Sequence, residues 1–152
     1  MADAIDVARH ILHKAQEKGF RLDPMQLQKM LYFSHGWMLG LCERPLFSEP
    51  VEAWPYGPVV ESVYHEFKAY GSGDLPDSEA RQCDGLDESI NKIIDQVISI
   101  YGKYSGPILS GMTHEKESPW EQTYKSGYRS VSISNAVIHD YFRGLKASNR
   151  IY

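Results

Sequence analysis

The sequence predicts a mainly α fold: a single compact domain over residues 1–152, with about six to seven helices and a short extended or hairpin segment near 46–54. Three observations carry this. Apolar residues recur three and four apart in several separate stretches, the spacing of one helix face. Most of those stretches open on Ser or Asp, often with Pro just inside, which is how helices begin. The prolines at 45, 50, 55 and 58 forbid a helix through one region only.

The first helix is expected over 4–18, capped by Asp3, with Ile5, Ala8, Ile11, Leu12 and Ala15 on one face and Gly19 as its stop. His10 and His13 fall opposite much of that face and are expected in solvent. The second helix, 25–41, is the best marked. Asp23 caps it, Pro24 takes its first position and Gln26 closes a capping box. Leu27, Met30, Leu31, Phe33, Trp37, Met38 and Leu39 cover nearly its whole circumference, so it should be central, with neighbours on several sides. Gly36 and Gly40 each cost up to about 1 kcal/mol against Ala in a helix, and close approach of another segment would compensate. Gly57-Pro58 is read as the start of a third helix buried through Val59, Val63, Phe67 and Tyr70 and ended by Gly71.

Residues 71–86 are polar, rich in Gly and Asp and without period, and are read as an exposed loop. A fourth helix, 88–103, is capped by Asp87 and carries the stripe Ile90, Ile93, Ile94, Val97, Ile98, Tyr101. Short helices open at Ser105-Pro107 and at the capping box Ser118-Pro119-Trp120-Glu121. Ser134 caps the last helix, 135–146. Ile133 and Ile138 stand as a hydrophobic staple around that cap, and Val137, Tyr141, Phe142 and Leu145 face inward.

Composition narrows the function. With a net charge of −4 and no basic stripe, the chain lacks the usual footprint of a nucleic-acid binder. Cys42 and Cys83 match no metal or redox spacing and read as free thiols of a cytosolic protein. Charges scattered through the first helix leave no signal-peptide core, and no stretch has the apolar length of a membrane span, so the expected location is the cytoplasm. Ten Tyr, five Phe and three Trp suit either an aromatic core or a protein-binding surface.

The six histidines raise a metal or histidine-based enzyme as one alternative, but His65-Glu66 lacks the second His that a helical zinc motif needs. A site from His35, His65 and His114 would require convergence in space. Neither cysteine lies in a recognised nucleophile motif, and no Gly-x-Ser-x-Gly elbow or phosphate loop is present. No metal, cofactor or catalytic residue is therefore assigned.

The most unusual stretch is Glu52-Ala53-Trp54-Pro55-Tyr56-Gly57-Pro58-Val59-Val60. Two prolines bracket Tyr56 and Gly57, and such stiffness lowers the ordering cost of binding. One reading is a fixed aromatic surface for a partner. The other is a rigid turn that seats Trp54 in the core.

Leu27-Gln28-Lys29-Met30-Leu31-Tyr32-Phe33 resembles the Leu-Gln-Lys-Leu-Leu-Tyr-Phe signature of the Panacea (SocA-like, or phage-associated GepA-like) antitoxin domain. Glu52-Ala53-Trp54 with Gly57-Pro58-Val59 resembles its Glu-Ala-Trp-x-x-Gly-Pro-Val block, and Thr113-His114 with Pro119-Trp120 its later Thr-His-Pro-Trp element. The resemblance spans about 5–145. It implies a mainly helical, non-enzymatic antitoxin that binds a cognate toxin protein directly, with one branch similar to adaptors that hand the toxin to a protease. It supplies no catalytic residues. A DNA-binding regulator is the further alternative, for which this chain shows no added segment. The candidate toxin-binding residues are Trp54, Tyr56, Pro58, Val60, Tyr64 and Trp120. A charge at Val60 is expected to weaken neutralisation while the fold survives.

Overall fold

A computed structural model describes every residue of the chain except Arg129. Among the described residues there are seven α-helices and three short strands. Helices α1 (Ala4–Glu17) and α2 (Pro24–Cys42) are followed by strands β1 (Val51–Trp54) and β2 (Gly57–Val59). Then come α3 (Glu61–Phe67), α4 (Glu88–Tyr101), α5 (Gly106–Thr113), α6 (Pro119–Thr123), β3 (Val131–Ile133) and α7 (Asn135–Ala147).

Helix α2 is the axle of the fold, as its apolar circumference requires. Helices α1, α3, α4, α5 and α7 and strand β2 all pack on it. Its capping box forms as read: Gln26 N–H donates to the Asp23 carboxylate at 2.7 Å and the Gln26 side chain accepts from Asp23 N–H at 2.9 Å. Gly36 and Gly40 are explained by α7. A Cβ on Gly36 would lie 2.2 Å from the Phe142 ring, and one on Gly40 would lie 3.2 Å from the Arg143 backbone nitrogen. Phe142 fills the notch and meets Tyr32, Trp37 and Tyr141 edge-on. Tyr101 of α4 stacks on Phe33 with centroids 4.0 Å apart.

The strands form one antiparallel sheet in the order β2-β1-β3. In β1–β2, Glu52 faces Val59, Ala53 faces Pro58 and Trp54 faces Gly57. Three sequence expectations change here. Gly57-Pro58 does not begin a helix: it is strand β2, and α3 starts at Glu61 after Val60. Pro58 is tolerated because β2 is a sheet edge, where a missing N–H costs no ladder bond, and Gly57 supplies the positive φ of 115° that the turn needs. Helix α3 also stops at Phe67, so Tyr70 is not on its buried side. A single 3₁₀ turn, Lys68–Tyr70, leads to Gly71 instead. Strand β3 had no counterpart in the sequence reading. It pairs with β1, Val51 facing Ile133.

Two local expectations also fail. Asp3 makes no side-chain cap on α1. The Glu49 carboxylate takes the Ala4 N–H at 2.7 Å instead. His10 is buried rather than exposed, at 2 % of its free surface. Its Nδ1 accepts the Cys83 N–H at 3.0 Å and its Nε2 meets the Asn91 carbonyl oxygen at 2.7 Å. With Leu75 buried and its N–H on Leu22 O at 2.9 Å, segment 71–86 is pinned to α1 and the α1–α2 turn. No described helix is long and apolar enough to cross a membrane.

Candidate functional site

The hairpin β1–β2 stands against the amino-terminal half of α2, and side chains from three helices hold its backbone. Gln28 clamps Val60 from both sides, its Nε2 donating to Val60 O at 3.1 Å and its Oε1 accepting Val60 N–H at 3.0 Å. Lys29 Nζ donates to Pro58 O at 3.2 Å. The Ser110 hydroxyl of α5 donates to Tyr56 O at 2.6 Å, and the Trp120 indole N–H of α6 donates to Trp54 O at 2.6 Å. Each such bond nets about 1 kcal/mol, and leaving a buried partner bare costs about 1–3 kcal/mol. The clamp also answers why polar Gln28 and Lys29 sit on a helix with no polar face: they satisfy the open edge of β2.

On its outer side the hairpin presents aromatics. The Trp54 indole N–H donates to the Glu52 carboxylate at 2.8 Å, and its ring meets Tyr64 edge-on at 4.9 Å. Trp120 is sandwiched between His114, at 3.8 Å, and Tyr124, at 4.6 Å. Tyr56 is 70 % exposed, Tyr64 41 % and Tyr128 64 %. Trp54, Tyr56 and Tyr64 line a cavity of about 280 Å³ whose walls include Met25, Val63 and Phe67 and whose lining includes Lys29. A second hollow on the other side of Trp54 runs past Pro55 to Tyr124 and Tyr128.

The six candidate residues thus gather at one corner but in two layers. Tyr56 and Tyr64 are exposed, and Trp54 and Trp120 are half-buried. Pro58 and Val60 lie behind them; Val60 is only 2 % exposed, so a charge there would enter the core rather than mark a surface. The sequence reading passed over Gln28 and Lys29 as site residues. The signal was present, because polar side chains on an all-round apolar helix must find partners.

The histidines do not converge. His35 is fully buried between the Leu46 N–H at 3.2 Å and Asn135 at 3.0 Å, and burial lowers its pKa. His65 is exposed beside Glu61. His114 lies against Trp120, and burial together with nearby Lys29 lowers its pKa. Among the described residues no group of three or more His, Cys, Asp or Glu is placed to hold a metal ion. Lys29 is the outlier: 1 % exposed, with no carboxylate partner among the described residues, its pKa lowered by burial to about 7.

Fold and corner together define a mainly helical scaffold in which buried Gln28, Lys29 and Ser110 hold an aromatic hairpin. The family to which that scaffold belongs is set by comparison with known proteins. The model of the SocA-like antitoxins, Panacea domain, matches residues 27–121, from the clamp residues into α6, and the chain belongs to that family. It is also 31 % identical to "Antitoxin SocA" of Caulobacter vibrioides (strain NA1000 / CB15N) over 160 residues, covering 96 % of this chain and 85 % of that protein. No solved structure matches. Membership supports an antitoxin role in a toxin–antitoxin system.

Proposed function

We propose that this protein neutralises a cognate toxin by direct contact in the cytoplasm, without catalysis, and that the docking surface is the clamped hairpin corner. Tyr56 and Tyr64 are the contact residues, with Trp54 and Trp120 forming the half-buried base between and beneath them. Pro58 and Val60 act from behind, by stiffening the hairpin. One observation carries this reading: the sequence blocks shared with the antitoxin family fold together around a rigid, exposed aromatic corner. Rigid aromatics lose little entropy on docking, and buried aromatic anchors generally dominate interface energy.

Co-expression with a candidate toxin, sought among the reading frames beside this gene, tests the reading. Tyr56→Ala and Tyr64→Ala, each with an unchanged thermal midpoint, should lose protection of the host and retention of the toxin on immobilised protein. Full protection and retention by the double variant would move the site elsewhere. Toxin half-life in the same cells separates the two modes of action. A stable toxin held in complex means direct inhibition, and a toxin that disappears only in this protein's presence means delivery to a protease.

A further inference from the structure

The hollow on the far side of Trp54 joins aromatic rings to carboxylates. Trp54, Tyr64, Tyr124 and Tyr128 line it, and so does Glu61, the first residue of α3. The Trp54 and Tyr64 rings stand at 61° to each other with centroids 4.9 Å apart, so they form two adjoining walls. Tyr124 is fixed by stacking on Trp120 at 4.6 Å. Behind Trp54 lies Glu52, 8 % exposed, which accepts the indole N–H at 2.8 Å. A carboxylate on the indole N–H polarises the ring and makes its faces more negative. Among the described residues no lysine or arginine pairs with Glu52 or Glu61, and Glu61 meets only His65, at 3.3 Å. The space, about 650 Å³, admits a whole side chain with its flanking backbone.

We propose that this hollow receives an arginine side chain of a partner protein, its guanidinium between Trp54 and Tyr64 and donating to the Glu61 carboxylate. Charge complementarity selects the occupant. Aromatic faces attract cations, and here four rings come with one carboxylate in the lining and a second behind the main wall. Arginine suits the place better than lysine: the guanidinium is planar and weakly hydrated, so it can stack on a ring while its edge still donates. A proline-rich segment would use the rings and leave both carboxylates unanswered, and an anion would meet two like charges. The net charge of −4 favours a basic partner at longer range as well. That the arginine belongs to the toxin rests on the antitoxin reading; that the hollow holds an arginine does not.

The tripeptide acetyl-Gly-Arg-Gly-amide is titrated into the isotope-labelled full chain at low salt and followed by NMR. Its citrulline counterpart, alike in shape but neutral, is the control. The Trp54 indole signal, identified by its loss in Trp54→Phe, should shift saturably, while that of Trp37, bonded to Tyr101 in the core, stays put. The citrulline peptide, and the arginine peptide on Glu61→Lys, should each bind at least about tenfold more weakly. Equal binding of the two peptides, or no saturation by about 20 mM arginine peptide, overturns the proposal. Arg129 lies between Tyr128 and Ser130 in the sequence, so Arg129→Gln controls for a cation from the chain itself. Its affinity should stay within about twofold of wild type, and a gain of about tenfold overturns the proposal. The contrast between the two peptides on the wild-type chain decides the matter even if Glu61→Lys does not fold. Toxin retention separates this inference from the docking reading. If Tyr56→Ala lowers retention and a folded Glu61→Lys does not, the docking corner stands and the arginine anchor falls. If neither lowers it, the docking corner falls, and with it the assignment of the arginine to the toxin.

Discussion

The two halves of α2 are held by different lead contacts. In the carboxy-terminal half, shape leads: Gly36 and Gly40 form a notch that Phe142 fills, with Arg143 donating to Gly40 O at 2.9 Å and His35 meeting Asn135 at 3.0 Å beside it. In the amino-terminal half, contact is made by hydrogen bonds: Gln28 and Lys29 reach into the hairpin and satisfy backbone atoms that would otherwise be bare. A shape contact is strong but says little about direction along a groove. A reciprocal amide clamp fixes one register. The molecule uses the first where it needs stability and the second where it needs a surface held in one geometry.

The comparison can be tested from its largest consequence downward. Phe142→Ala empties the notch and should cost about 3–5 kcal/mol in urea unfolding, as large-to-small core changes do. Gln28→Leu keeps the bulk but strips Val60 N–H and C=O of their partners. A loss of about 2–3 kcal/mol follows, with faster amide exchange at Val60 and little change at α7. If exchange rises equally in both regions, the two halves are one cooperative unit and the distinction fails.

A smaller effect concerns pH. The pKa of Lys29 falls to about 7 in the folded protein from the ordinary lysine value, so between those values the unfolded chain holds the extra proton. Stability should therefore rise with pH above 7, by at most about 1.4 kcal/mol per pH unit, and Lys29→Met should flatten the slope. The window closes near pH 9, where Cys83 and then the buried tyrosines, all with raised pKa values, act in the opposite sense. Smallest of all, Tyr56→Ala should change stability by less than about 0.5 kcal/mol, because its exposed ring packs on little.

Where the sequence was legible, the signal was local. Asp23, Pro24 and Gln26 announce the start of α2, and Ser134 with Ile133 and Ile138 announces α7, because caps and staples act within one turn. The two helical glycines were readable as a close approach, though not that Phe142 makes it. What was lost depended on partners far along the chain. Strand β3 is three residues long, too short to show a period, and exists only because Val51 and Ala53 are there to pair with it. Gly57-Pro58 suits a helix start as well as an edge strand, and the clamp from Gln28 and Lys29 decides between them. His10 looked like surface because segment 71–86, which covers it, has no pattern of its own. At the candidate site, Trp54, Tyr56, Tyr64 and Trp120 were found from type and position. The side chains that position the corner were hidden inside an apolar run.

The sheet has a consequence for synthesis. Strand β1 is made well before its partner β3 and before the helix that fills the α2 notch. A nascent chain that ends before about residue 131 has a hairpin lacking one flank and an oily groove open along its central rod. Pairings so distant in sequence form late and slowly. The aromatic corner therefore gains its support from both sides only once β3 and α7 have been made, and a message interrupted before them yields a fragment marked by its own uncovered grease.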